Sequence, residues 1–191
     1  MAYDSRATRA RILEAAYREF AAYGFAGARI DRIAVNAKAN KRAIYEHFGK
    51  KEDLFDQVVT ERLEVSVQAV PASWDDLPRL TGEVFDYYAS DPDRMRLTLW
   101  RQLERPDPTE HEVDHYRASL DSMAQGGADR AIADADLYAV IWAIHHVHVL
   151  TPLALQFADS GAPWSKERWQ QVRDAVVTSV GRIVRERSSA S

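Results

Sequence analysis

Apolar side chains recur at helical spacing from one end of the chain to the other. Near the front, Ile12, Leu13, Ala16, Phe20 and Tyr23 form one stripe, with Arg9, Arg11 and Arg18 on the other side. This predicts a helix over Arg6 to Tyr23, ended by Gly24, which can take a left-handed backbone. Two short helices follow, about Ile30 to Asn36 and about Asn40 to His47, with Lys38 in the turn between them and Asn40 as an N-cap. Phe55, Val59, Leu63, Val67 and Val70, with Leu54 and Val58 beside them, predict a longer helix from Lys51 to about Val70. It reads as a strut joining two domains.

Pro71, Trp74 and Pro78 break that periodicity. Beyond them the pattern predicts a helix over Leu77 to Ala89. Asp91-Pro92 then starts another, carrying Met95, Leu97, Leu99, Trp100 and Leu103, until Pro106 and Pro108 stop it. Thr109 can cap the next, which runs through Tyr116, Leu120 and Met123 to Gly126-Gly127. Asp134 to about Phe157, interrupted at Pro152, is apolar nearly all round, so it must be covered on more than one side. Ser165 to about Arg187 carries a stripe of Trp169, Val172, Val176, Val180 and Ile183. The expected fold is all-α: a three-helix domain over 1–50, then a larger helical domain over 51–191 whose first part, 51–70, connects the two.

Composition removes several classes of function. At 191 residues, 46% hydrophobic and 28% charged, the chain can bury a substantial core. It holds no cysteine, which excludes a disulfide framework, a zinc finger and a thiol nucleophile. No N-terminal signal-peptide pattern and no long uninterrupted apolar run occurs, so a cytoplasmic location is expected. The net charge of -4 hides an asymmetry. Residues 1–51 carry 11 Lys+Arg against 5 Asp+Glu, net +6, while residues 52–191 carry 14 against 24, net -10. A local positive field of that kind suits phosphate binding.

That field coincides with Asp31 to Leu54, two short helices and a tight turn. Ile33, Ala34, Ile44 and Phe48 supply an inner apolar face, and Arg32, Lys38, Asn40, Lys41, Arg42, Tyr45, His47, Lys50 and Lys51 an outer face of donors and charge. This is the pattern of a helix-turn-helix that reads DNA. Lys41, Arg42, Ala43, Tyr45 and Glu46 are the candidates for base edges: Arg42 for guanine above all, Ala43 for a thymine methyl, Glu46 for cytosine.

The stretch AKANKRAIYEHFGKKEDLF resembles the tetracycline-repressor-like (TetR) family of bacterial regulators, with Ala37, Lys41, Tyr45, His47, Phe48, Lys51, Glu52 and Leu54 matching by identity and Ile44 by type. The resemblance implies a ligand-released repressor that binds a palindromic operator as a homodimer, with Tyr45, His47 and Lys51 on phosphates. Arg29, Lys38, Asn40 and Lys50 complete the expected DNA contacts. Four positions depart from the family pattern: Ala28 or Arg29 stands where a threonine would cap the second helix, Lys38 replaces the turn glycine, Arg42 a small residue and Glu46 a second aromatic. These leave the operator sequence open.

One reading helix binds weakly, so a dimer is expected, through the helices at 134–157 and 165–187. Ala139, Ala143, His146, Leu150, Trp169, Val172, Val176, Val180 and Ile183 are its candidate contacts. Phe85, Tyr88, Trp100, Leu103, Tyr116, Tyr138, Trp142 and His145 offer the large apolar surfaces and polar tips of a pocket for a small apolar or aromatic effector, otherwise unidentified. No cofactor is expected. His111 and His115 stand four apart on one helix, where a metal is conceivable, whereas His145, His146 and His148 point in three directions on one helix, which is poor for chelation; the histidines are assigned to core or interface rather than metal. Nothing resembling a phosphate loop, a nucleophile-base pair or HExxH appears, so no enzyme is expected. The alternative function is a DNA-binding adaptor whose back half only dimerises or meets a protein partner.

Overall fold

The computed structural model describes residues 2–69, 76–125 and 165–189. Among these every regular element is a helix: α1 (Ala2–Gly27), α2 (Ile30–Asn36), α3 (Lys41–Phe48), α4 (Lys51–Ala69), α5 (Leu77–Ser90), α6 (Pro92–Glu104), α7 (Glu110–Gln125) and α8 (Lys166–Ser189). The expected all-helical fold and most of the expected boundaries are present. The helix expected at 134–157 lies outside the described residues.

The chain divides into two compact units, 1–65 with 93–112, and 66–92 with 113–191. The first therefore holds α6 and most of α4 as well as the three reading helices. Its core is built from α1 (Ile12, Ala16, Tyr17, Phe20), α2 (Ile33, Ala34), α3 (Ile44, Phe48), α4 (Leu54, Phe55, Val58) and Leu97 of α6. Phe55 sits at its centre, edge-on to Phe20 with ring centroids 4.9 Å apart and to Phe25 at 5.4 Å. Burying a side chain of this size contributes roughly 1.5–3 kcal/mol, so these rings help to hold α4 against α1.

Gly24 breaks α1, at φ 69 and ψ -179. The break is enclosed by α6. A Cβ on Gly24 would lie 2.8 Å from Trp100 Cε3 and 2.8 Å from Glu104 Oε2. Arg96 donates to the carbonyls of Ala21 and Ala22 at 3.0 and 3.1 Å, while Glu104 accepts from the N–H groups of Phe25 and Ala26. The carbonyls and amides that the break leaves without helical partners are thus satisfied by one arginine and one glutamate, two turns apart on α6.

In the second unit α5 packs on α8. Pro78 lies by Gly181, Arg173 by Gly82 and Trp169 by Phe85, so the two helices run antiparallel. Asp76 caps α5 by accepting from Arg79 N–H at 3.1 Å. Val176 and Val180 are only 9% and 0% exposed in the single chain. Part of the stripe assigned from sequence to a partner subunit is therefore an internal seam, because the apolar face of α5 (Leu77, Leu80, Phe85) needs the same cover.

Candidate nucleic-acid interface

The reading surface is set by how α2 ends and α3 begins. Ala37 closes α2; the Lys38 N–H bonds to the Val35 carbonyl at 3.1 Å and the Ala39 N–H to the Ala34 carbonyl at 3.0 Å. This paired closure requires a left-handed residue between, and Lys38 supplies it at φ 50. The chain keeps the family's tight turn without its glycine. Asn40 then caps α3, its Oδ1 accepting from Ala43 N–H at 2.7 Å, as its position in the sequence predicts. At the next junction Asp53 reaches back to Lys50 N–H at 2.8 Å and starts α4 directly after Gly49.

Arg29 makes no side-chain cap for α2, as the missing threonine implies. Glu19 of α1 takes over, and sequence inspection gave no sign of it. Its Oε1, on a side chain only 2% exposed, accepts from Arg29 N–H at 2.8 Å and pairs with Arg32 at 2.6 Å. The hydrogen bond that Arg32 donates to Glu19 raises the Arg32 pKa. Arg32 also donates to the Gly27 carbonyl at 2.8 Å and stacks over Tyr23, 4.2 Å from its centroid. Arg32, placed by the pattern on the outer donor face, is therefore committed to joining α1 and α2.

The other candidates separate by what holds them. Among the described residues, the Arg29, Lys38 and Lys50 side chains are exposed cations with no partner. Lys41 is paired to Asp31 of α2 at 2.5 Å, and that hydrogen bond raises its pKa. Arg42, 86% exposed, is paired to Glu46 one turn on at 2.6 Å, with its pKa raised by that hydrogen bond. Tyr45 is 52% exposed and points away from the core. Ala43 and His47 are half-buried, His47 tilted against Phe48 with ring centroids 6.0 Å apart. Lys51 is half-buried, with Nζ 4.8 Å from the Phe25 centroid, so its stem packs where the sequence shows only a charge. Arg11 and Arg9 support the surface from α1: Arg11 donates to the Ala37 carbonyl at 3.1 Å, and Arg9 lies 5.2 Å from the Phe48 ring.

A surface of this kind, with one short helix capped, exposed and cationic over a buried apolar inner face, suits the major groove of duplex DNA. Residues 12–58 match the family described as bacterial regulatory proteins of the tetR family, and residues 76–182 match the tetracycline repressor-like C-terminal domain. The chain belongs to the TetR family. It is a DNA-binding transcriptional regulator of the helix-turn-helix type. It is 34% identical over 192 residues to the HTH-type transcriptional repressor SCO4008 of Streptomyces coelicolor, covering 96% of this chain and 98% of that one. Over 186 residues it is 31% identical to the repressor AcnR of Corynebacterium efficiens, covering 92% and 93%. Among solved structures, the transcriptional regulator SCO4942 of Streptomyces coelicolor superposes with a TM-score of 0.78 at 32% identity, covering 92% of this chain and 97% of that one. No described helix is long and apolar enough to cross a membrane.

The candidate effector and dimer residues are less gathered than the reading face. Trp100 and Leu103 belong to the first unit, Phe85, Tyr88 and Tyr116 to the second. Phe85, 2% exposed, is core against Trp169, with ring centroids 5.8 Å apart. Trp100 covers Gly24, and Leu103 is 74% exposed on the surface. Tyr88 and Tyr116 are half-buried; Tyr88 stacks edge-on to Tyr87 and Tyr116 to His115. Trp169, Val172 and Ile183 are half-buried on α8. Tyr138, Trp142, His145, Ala139, Ala143, His146 and Leu150 lie outside the described residues. Among the described residues no group of His, Asp or Glu is arranged to hold a metal ion.

Proposed function

We propose that this regulator is a repressor that binds a palindromic operator as a homodimer and is released by a small apolar or aromatic effector. Residues 1–50 read DNA, and residues 51–191 connect, dimerise and sense. The observation that carries the proposal is the reading face: α3 is capped by Asn40 and stands on a rigid core, and Arg29, Lys38, Arg42, Tyr45 and Lys50 are exposed around it. A single eight-residue helix contacts only a few base pairs. Two copies, placed about 34–36 Å apart along one side of the duplex, supply the missing affinity and make the operator symmetric. The relatives SCO4008 and AcnR are repressors by name, which favours repression.

Cytoplasmic residence follows from this role. Tyr88 and Tyr116, with Tyr138, Trp142 and His145 by residue type, would meet an effector with apolar surface and one or two polar groups. Such a ligand releases the operator only if it prefers the conformation that binds DNA poorly. Selection of bound sequences from random duplexes, repeated with small-molecule extract present, tests the proposal. The expected result is an inverted-repeat motif whose recovery falls when extract is added. A motif without two-fold symmetry would overturn the dimeric operator, and recovery indifferent to every extract would favour the ligand-free adaptor.

A further inference from the structure

Arg42 and Glu46 are both departures from the family pattern, and the structure brings them into contact. Glu46 Oε1 accepts from Arg42 Nε at 2.6 Å. Neither is drawn toward the core: the side chains are 86% and 59% exposed, on the face of α3 that carries Tyr45. The other cation of the same turn, Lys41, is held by Asp31. The geometry points to Glu46 as a positioning residue that fixes the Arg42 guanidinium for a guanine in each operator half-site. The inference rests on the operator proposal above.

The reasoning is stereochemical. A guanidinium has five N–H donors in a planar fork. The Glu46 bond uses the one on Nε, and among the described residues the donors on Nη1 and Nη2 have no partner. One N–H on each of Nη1 and Nη2 forms a parallel pair at the end of the fork, the arrangement that meets guanine O6 and N7 together. Arg42 is the second residue of α3, and the first turn of a reading helix is the part that reaches base edges. A free carboxylate in a groove lined by phosphates would weaken binding to every sequence. Paired to Arg42 it instead holds the plane of the fork, so its cost in affinity is exchanged for discrimination. Glu46 is thus removed from the role of cytosine acceptor that its residue type alone suggests.

Selection from random duplexes with the full-length protein and its Glu46→Ala, Glu46→Gln and Arg42→Ala variants tests this, each variant first checked by thermal melting. Arg42→Ala should erase a guanine preference of about 5- to 100-fold at one position per half-site. Glu46→Ala should reduce the preference at that same position severalfold. It should also raise affinity for unrelated duplex and steepen the salt dependence, because one negative charge has left the interface. Glu46→Gln keeps an acceptor for Nε and should retain most of the preference. A purely structural Glu46 would lower specific and unrelated binding alike. If Glu46→Ala leaves the Arg42-dependent guanine intact, or removes a cytosine preference at a neighbouring position instead, the inference is overturned while the operator proposal stands. No enriched motif with the unaltered protein overturns both.

Discussion

At the scale of single residues, Lys38 is the most informative departure. An L-residue at φ 50 carries roughly 1–2 kcal/mol of backbone strain, yet the hydrogen bonds around it close α2 as a glycine would. Lys38→Gly relieves the strain but adds entropy to the unfolded chain, offsetting about 0.5–1 kcal/mol. The net expectation is a stabilisation of about 0.5–1 kcal/mol, a rise of a few degrees in the thermal midpoint. DNA affinity should move the other way, because an exposed cation is lost beside the reading helix. A variant that melts lower, or binds DNA more tightly, would refute this account of why lysine stands there. Glu19 teaches the complementary lesson, since a residue twelve positions upstream of Asp31 supplies what the missing threonine cap would have given α2.

Among the elements, α6 and the first turn of α7 do most to set the geometry of the first unit. α6 encloses the break in α1 with Arg96, Trp100 and Glu104, so the position of α6 and the path of the chain into α2 are fixed together. α7 starts with a reciprocal cap: Thr109 Oγ1 accepts from Glu112 N–H at 3.3 Å, and the Glu112 carboxylate accepts from Thr109 N–H at 2.8 Å. The same carboxylate, 8% exposed, pairs with Arg101 of α6 at 2.7 Å. Burial would raise the Glu112 pKa, but the hydrogen bonds from Arg101 and Thr109 outweigh it and hold the group below its ordinary value. A carboxylate depressed in the folded state contributes stability above its unfolded pKa and loses it as the pH falls through the folded pKa. Glu112→Gln should therefore destabilise by ~1.5–3 kcal/mol at neutral pH, and the gap from the unaltered protein should narrow on acidification below about pH 4.5. Denaturant titrations at neutral and acid pH measure it; a gap independent of pH would show that the charge on Glu112 contributes nothing.

For the whole molecule, the separation of charge is the governing fact. Net +6 over residues 1–51 attracts the duplex, and net -10 over the remainder repels it, so residues 1–51 are the part suited by charge to approach DNA. The proposed dimer contacts belong to the acidic part. With Val176 and Val180 already buried in the single chain, the proposed dimer would use what α8 leaves half-exposed, including Val172 and Ile183, together with the apolar stretch at 134–157. Sedimentation at micromolar concentration should give a dimer without DNA. A monomer under those conditions would remove the symmetric operator from the proposed function.

Much of the fold was legible because helix signals are local. The stripe through Ile12, Ala16 and Phe20, the Asn40 cap, the Asp91-Pro92 start and the Thr109 cap each involve residues within a turn or two of one another, so sequence spacing alone determined where α3, α6 and α7 begin and which face of α1 is buried, though α1 starts at Ala2 rather than the expected Arg6. It also determined the charge asymmetry and the candidate reading face. The choice among partners far apart in the chain was decided only by tertiary structure. A valine stripe on α8 is equally apolar whether α5 or a second subunit covers it; Arg32, Lys51 and Arg42 are equally cationic whether they face Glu19, Phe25, Glu46 or a phosphate. Burial and pairing are properties of distances in space, and those were fixed when Phe55, Trp100 and Glu104 brought α4 and α6 onto α1.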